Sequence, residues 1–450
     1  AQQRFEARYA MLLSQLFIAP HTIEVSEVRE LTVEADTALR RGLSAHLKLA
    51  HAIRTDKRSV ALDDARRWAR SLSQSHPVLA ARMFREIALA DLGTRNNDAA
   101  IQASRSALSL ARRGAEHVDD DSTTDVESTL PIHPRRLTQP EIDAATTYSA
   151  ALVYAGRPRE AMVLCEAMAT RCKQASLNRG AAAFFVNGAI AAHRIGQRKA
   201  ATDHLAAAAR LQHTHGDISV FANQAVATAR LAAERGDLAA APLLLDEAIT
   251  AAQGLGDGDL LGEAWSIALD LATQTGDIMA ARRALLAYGE GNAWSPRDHF
   301  PAALARWQWA RGKLDDAVLS TDEPRSGYGG ACVSSERARL LLLNGRIDAA
   351  VAAAETLQKT ALRFEWADLA KFAELVIGAA KRVPDAAYQP LIIATRDSRW
   401  THLYLGALHL DAIRRRGRGE NVLAQLRRLR ARAADLNHRM YEALANPQRW

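Results

Sequence analysis

Residues 181–212 read AAAFFVNGAIAAHRI, then GQRK, then AATDHLAAAARLQ. The first and last segments are rich in alanine and contain no proline, which favours helix, and the glycine between them favours a tight turn. The same order of segments returns in residues 221–253, which read FANQAVATARLAAER, GDLA and AAPLLLDEAITAAQ. The sequence therefore predicts two consecutive helical hairpins of the same design.

The turn glycine recurs along the chain, first at a constant interval of 40 residues and then at intervals of 36 and 33. The glycines are Gly156, Gly196, Gly236, Gly276, Gly312 and Gly345. Alanine follows five residues after each of them, at Ala161, Ala201, Ala241, Ala281, Ala317 and Ala350. We expect each glycine to take a left-handed helix cap and each alanine to lie where the two helices of a hairpin cross. Such a period is typical of solenoids, in which each unit buries its apolar face against its neighbours.

These spacings predict an all-α fold, a right-handed superhelical solenoid of antiparallel helix hairpins with a period of about 40 residues. The small residue, turn glycine and following alanine resemble the tetratricopeptide repeat, although most of its signature aromatic positions are absent. The longer helices and Gly-Asp turns resemble the sensor solenoid of LuxR-type bacterial regulators, such as the activator of the maltose regulon. The resemblance covers roughly residues 141–360 and implies a bacterial regulatory protein, with roles in signalling or transcription regulation.

Composition divides the chain into four predicted segments. Residues 1–114 hold degenerate helical repeats, and 115–140 form an acidic, proline-containing loop or linker. Residues 141–383 form the core solenoid, and 384–450 form an arginine-rich C-terminal helical cap. End repeats need a polar outer face, which the last segment provides.

The sequence contains no motif that would support catalysis. It has no GxxxxGK[ST], Gly-x-Ser-x-Gly or His-Glu-x-x-His, so we predict no enzymatic activity and no cofactor. Residues 119–125 imitate the start of a calcium loop but lack its glycine and glutamate, and His213-x-His215 has no third ligand nearby. We therefore predict no metal site. No apolar run approaches the ~20 residues that cross a bilayer, so we expect a cytoplasmic protein without membrane contact.

The most specific functional prediction concerns the first helix of each hairpin, which lines the concave surface in tetratricopeptide-like stacks. Arginine and tryptophan are frequent anchors of interfaces, and arginine holds carboxylates with two hydrogen bonds. Arg230, Asp270, Arg306 and Arg339 each lie six residues before a turn glycine, so we expect them to form a row along this surface. Trp309, three residues before Gly312, is expected to be exposed in a neighbouring row. The predicted partner-binding residues are Asn223, Arg230, Asp270, Arg306, Trp309 and Arg339. The resulting hypothesis is a non-enzymatic module that binds a protein or peptide segment, or a small ligand; the alternative is that these arginines are ordinary solvated residues and Trp309 packs between repeats.

A second hypothesis concerns the C-terminal end, because residues 411–450 hold ten arginines against four acidic residues, nearly the whole formal net charge of +7. Here the solenoid would be the sensor part of a transcription regulator and the basic end would contact nucleic acid or polymerase. A solvated terminal helix pair is the ordinary alternative. The candidate residues are Arg414, Arg415, Arg416, Arg418, Arg427 and Arg428.

Overall fold

The computed structural model describes residues 2–18, 27–28, 30–31, 35, 37–54, 58–94, 96–120, 137–215, 218–255, 258–290, 299–322, 327–397 and 400–447. Every bounded element in these residues is an α-helix, which confirms the all-α fold class. The chain forms two compact units, Ala1–Ala155 with Val163–Gly180 and Gly156–Met162 with Ala181–Trp450. No helix in the described ranges combines the length and apolar character needed to cross a bilayer.

The first unit is built from hairpins whose helices pack in chain order. Its helices are α1 Gln2–Ile18, α2 Ala38–Arg54, α3 Arg58–Leu72, α4 Pro77–Gly93, α5 Asn97–Asp120, α6 Gln139–Tyr154 and most of α7 Pro158–Gln174. Helix α5 continues to Asp120, so the predicted linker begins as helix, and its residues 121–136 lie outside the described ranges. The proposed boundaries of the four segments remain predictions.

The second unit contains the regular repeats and the C-terminal helices. Its helices are α8 Asn178–Arg194, α9 Arg198–His215, α10 Ile218–Arg235, α11 Ala240–Leu255, α12 Gly258–Thr275, α13 Ile278–Glu290, α14 Phe300–Ala310, α15 Leu314–Leu319, α16 Gly327–Leu343, α17 Ile347–Arg363, α18 Ala367–Ala380, α19 Asp385–Asp397, α20 Thr401–Gly417, α21 Leu423–Asp435 and α22 Arg439–Leu444. From α10 to α18, each even-numbered helix contacts the next even-numbered one, which forms a stacked layer, and α18 contacts α20. Helix α20 also contacts α10, and α22 contacts α12 and α14, so the C-terminal helices return onto the first repeats.

The repeated glycines and alanines have the predicted roles. The six turn glycines have φ between 72° and 79°, a left-handed conformation that glycine adopts without Cβ strain. After Gly196, for example, the amide of Gln197 donates to the carbonyl of Ala192 at 2.8 Å, as in a Schellman cap. The six alanines that follow the glycines are all 0% exposed. A helical-repeat architecture is therefore established from the packing of the chain itself.

Candidate ligand cavity in the second unit

A cavity of about 60 Å³ lies in the second unit, between the stacked layer and the C-terminal helices. This space corresponds to about two water-sized groups. Arg230 of α10, Asp270 of α12, Arg306 of α14 and Glu336 of α16 line it on one side. His438, which precedes α22, lies on the other side with residues of α20. Residues from five different helices therefore meet at one polar space.

Arg306 connects two carboxylates of the wall. Its Nε and Nη2 donate to Asp270 at 2.8 and 2.7 Å, and its Nη1 donates to Glu336 at 2.8 Å. Burial works against the charged guanidinium, but the two carboxylates outweigh burial and raise the pKa of Arg306. Its charge is thus fixed and its hydrogen-bonding capacity is used within the protein.

Glu336 is the centre of the wall because three side chains donate to it. Besides Arg306, the donors are Arg339, on the same helix, and His402 of α20, whose Nε2 lies 3.2 Å from Oε1. Burial raises the pKa of Glu336, but the neighbouring arginines outweigh burial and hold it well below its ordinary range. His402 has its pKa lowered to about 4, chiefly by burial, so this imidazole is neutral near pH 7.

Behind the cavity, Arg339 and Trp309 form a buried stack. The guanidinium of Arg339 lies 4.3 Å from the centre of the Trp309 ring and donates to the hydroxyl of Tyr441 at 2.5 Å. Trp309 is 5% exposed and also contacts the ring of His409. The expectation that Trp309 is an exposed anchor is therefore wrong, because α20 and α22 cover this face of the layer. Arg339 is fully buried for the same reason.

A second carboxylate, Glu234 of α10, is also saturated. Its two oxygens accept from Nε2 of His193 at 2.9 and 2.8 Å, and one of them accepts from Nε of Arg198 at 3.1 Å. Arg198 also donates through Nη1 to Asp368, near the start of α18. This chain of ion pairs joins the early repeats of the second unit to its later helices.

Two side chains of the wall hold polar atoms without a partner among the described residues. Nη2 of Arg230 is buried and unpaired, while its Nε donates to Glu263 at 3.0 Å. Both ring nitrogens of His438 are buried and unpaired, and the residue is 1% exposed. Burial lowers the pKa of His438 well below its ordinary value, so the ring is neutral. Buried polar groups are nearly always hydrogen-bonded, which makes these atoms the distinctive feature of the cavity.

The structure brings most of the predicted row together. Arg230, Asp270 and Arg306 line the cavity, and Arg339 and Trp309 lie directly behind it. Asn223 is separate: it is half-buried on α10, and its amide donates to the carbonyl of Ser219 at 2.9 Å. A binding role for these six residues remains a prediction.

Sequence reasoning missed the residues that complete the wall. Glu234 and Glu336 lie on first helices of repeats but outside the row counted from the glycines. His402 and Tyr441 lie on C-terminal helices and His438 immediately precedes one, in a part of the chain without the glycine and alanine repeat. The one available signal was the spacing of Glu336 and Arg339, which places both on the same helix face.

The predicted basic surface at the C-terminal end is only partly exposed. Arg414 is fully buried and donates to Asp411 and Asp385, and Arg415 donates to Glu420 at 2.9 Å. The inclusion of Arg414 among residues that contact nucleic acid is therefore wrong, because its guanidinium is held inside the fold. The other candidates are better placed: Arg416, Arg418, Arg427 and Arg428 are exposed.

The described residues contain no group of three side chains suited to a metal ion. Most of the calcium-loop-like stretch 119–125 lies outside these ranges, as do the side chains of His213 and His215. The metal prediction is thus untested at both places.

No protein-family model matches the chain, and no curated protein matches it significantly. Among solved structures, it is similar to a Rap protein complexed with competence and sporulation factor. That similarity covers 80% of this chain and 87% of the Rap chain, at 11% identity and a TM-score of 0.49. A similarity of this size supports no statement about ligand or partner. The resemblance to LuxR-type sensor solenoids is not confirmed.

Proposed function

We propose that the chain is a non-enzymatic regulatory binding module and that a polar group of its ligand enters the cavity of the second unit. The ligand is a protein or peptide segment or a small molecule. The observation that carries this proposal is the set of buried, unpaired polar atoms on Arg230 and His438. Each such atom costs on the order of 1–3 kcal/mol, and a ligand that pairs with them recovers this cost.

Because of the position of the cavity, a bound ligand would affect how the C-terminal helices contact the stacked layer. Its wall includes Arg230 and Arg306 from the stacked layer and His402 and His438 from the C-terminal helices. A ligand in contact with both sides stabilises the arrangement in which they are closed together, relative to any other arrangement. Binding at the cavity is thereby coupled to the exposure of surfaces on α20 and α22.

Filling the cavity without touching its ion pairs tests the proposal. Ala233 lines the cavity and is 5% exposed, so Ala233→Leu places three additional carbon atoms in a space of about 60 Å³. Candidate ligands are first found from thermal shifts of the full chain with small acids, neutral amides and short peptides, and affinities are then measured by calorimetry. We expect Ala233→Leu to abolish binding. The matched control is Ala206→Leu at an exposed position of α9, which should bind as the parent protein does.

Binding that survives in the filled variant would place the ligand elsewhere and contradict the proposal. The complete absence of ligands in the screen would contradict it as well. Filled cavities are often stabilising, so unfolding curves of Ala233→Leu will distinguish a blocked site from a damaged fold.

The alternative, a sensor whose basic C-terminal end contacts nucleic acid, now rests on the exposed arginines Arg416, Arg418, Arg427 and Arg428, of which the last two lie on α21. It predicts duplex DNA binding whose affinity falls steeply with salt, because phosphate contacts release counterions. Fluorescence anisotropy with a labelled duplex measures this slope. Arg427→Gln with Arg428→Gln should reduce the slope by about two if both contact phosphates. An unchanged slope excludes this surface.

A further inference from the structure

We propose that the cavity recognises a carboxylate group, with Arg230 as its principal donor; this rests on the proposed function, in which the cavity holds a ligand. Some hydrogen-bonding atoms of the wall are used within the protein, and three buried nitrogens of the described residues are available. Two of these three, Nη2 of Arg230 and one ring nitrogen of His438, are donors and therefore complement an acceptor.

Every carboxylate oxygen of the wall already accepts a hydrogen bond from the protein. Both oxygens of Glu234 accept hydrogen bonds from His193 and Arg198. Both oxygens of Asp270 accept from Arg306. Glu336 also accepts through both oxygens. A ligand that only donates hydrogen bonds therefore has to share oxygens that already accept from arginine or histidine.

The guanidinium groups differ in this respect. Arg306 uses three nitrogens in contacts within the protein. Arg339 lies behind the wall and uses both terminal nitrogens, while its buried Nε has no partner among the described residues. Arg230 uses only Nε, in a single hydrogen bond to Glu263, whose side chain is 31% exposed. The side chain of Arg230 is itself only 13% exposed, and its buried Nη2 has no partner among the described residues. Since arginine only donates hydrogen bonds, Nη2 requires an acceptor.

His438 adds a second, neutral point of contact. A neutral imidazole donates through one ring nitrogen and accepts through the other. Its ring lines the same cavity as Arg230 from the other side, buried and unpaired at both nitrogens. The imidazole N–H is therefore a neutral donor for the ligand, in addition to the charged donor of Arg230.

Size and shape favour a carboxylate. Its two oxygens correspond to the two water-sized groups that a space of about 60 Å³ holds. The flat fork of a guanidinium matches the two oxygens of a carboxylate. A carboxylate also brings one negative charge, which Arg230 attracts in competition with Glu263, its ion-pair partner within the protein.

Acetate and acetamide are the probes, because they have nearly the same shape and differ in charge. With the full chain at constant ionic strength, we expect acetate to bind in the millimolar range, given its four heavy atoms. Acetamide should bind at least tenfold more weakly, as measured by calorimetry or by the shift in unfolding temperature.

Two variants are expected to change the affinity for acetate in different ways. Arg230→Gln removes the charge and should weaken acetate binding at least tenfold. Glu263→Gln leaves Arg230 charged and frees its Nε, so acetate binding should be retained or strengthened. If Arg230 serves only as half of an ion pair with Glu263, the two variants will behave alike, and the proposal is wrong. Unfolding curves of both variants establish that they are folded, and Arg230→Lys tests the fork geometry separately from charge.

Failure of this proposal is distinguishable from failure of the proposed function. Equal binding of acetate and acetamide, both blocked by Ala233→Leu, would exclude the carboxylate class and leave the cavity as a binding site. Tighter binding of inorganic phosphate than of acetate would exclude it in the same way. If neither acetate, acetamide nor any ligand of the screen binds, both the proposed function and the proposed recognition of a carboxylate are wrong. Comparison of acetate with a short peptide and its C-terminal amide then assigns the carboxylate to a free acid or to a peptide end.

Discussion

At the scale of single residues, two turn glycines with the same backbone have different surroundings. Gly156 and Gly312 have φ of 77° and 79°, in the left-handed region. A Cβ built on Gly156 would lie 2.2 Å from Cδ1 of Phe364, which ends α17, whereas a Cβ on Gly312 has no neighbour within 4 Å. Gly156 is therefore required both for the left-handed turn and for the close approach of Phe364. Gly312 is required for the turn alone.

This difference predicts two costs for the same substitution. Gly312→Ala should lower the free energy of unfolding by about 1–2 kcal/mol, the strain of a left-handed Cβ. Gly156→Ala should cost about 1–3 kcal/mol more, because the Phe364 ring must move. Urea unfolding followed by tryptophan fluorescence measures both. Gly312→Asn, which tolerates this conformation, is the control for strain, and equal costs for the two alanine variants would exclude the contact with Phe364.

At the scale of helices, the sequence predicted the hairpins well and their long-range partners poorly. The glycine period located the turns, and the alanine spacing located the buried helix crossings, because both depend on residues close in the chain. The contact between Asp270 and Arg306 also followed the repeat, since successive repeats place equivalent positions side by side. These features repeat because each hairpin buries its apolar face against its neighbours in the same way.

The contacts that close the cavity have no such period. His402 meets Glu336 across 66 residues, and Tyr441 meets Arg339 across 102 residues. They join repeat helices to C-terminal helices, so no fixed spacing links the partners. Trp309 shows the consequence: its position in the row was predictable, whereas its burial depended on α22, which lies far away in the sequence.

At the scale of the whole second unit, the turns of the early repeats face the C-terminal helices in order. Cβ atoms on Gly156, Gly196, Gly236 and Gly276 would meet, respectively, Phe364, Asp368, Thr401 and Arg439. The contacts of four successive turns thus occur in the same order along the chain as the later residues that they meet. The buried ion pairs and neutral histidines lie within this closed arrangement, so its stability depends on their protonation.

The last prediction is a loss of stability of the second unit in acid. The pKa of His402 is lowered to about 4 and that of His409 to about 3, both chiefly by burial, from an ordinary value of 6.5. Below pH 6.5 the unfolded chain therefore binds protons that the folded state does not bind, and the free energy of unfolding decreases as pH falls. Glu336 and Glu234 act in the same direction below about pH 4.5, because the arginines around them hold their pKa values well below the ordinary 4.5.

For His402, the shift to about 4 corresponds to a loss on the order of 3 kcal/mol between pH 6.5 and 4. His402→Gln keeps an amide donor for Glu336 and removes this titration, so its stability should fall less steeply over the same interval. Urea unfolding at pH 8, 6.5, 5 and 4 measures the free energy of unfolding of the parent protein and of the variant. The value at pH 8 is the reference, because neither His402 nor the glutamine that replaces it is charged there. If the variant and the parent protein lose stability in parallel, His402 is not a buried neutral group in the folded state. A shallower profile for the variant, by contrast, would link the acid sensitivity of the unit to the closure of α20 against α16.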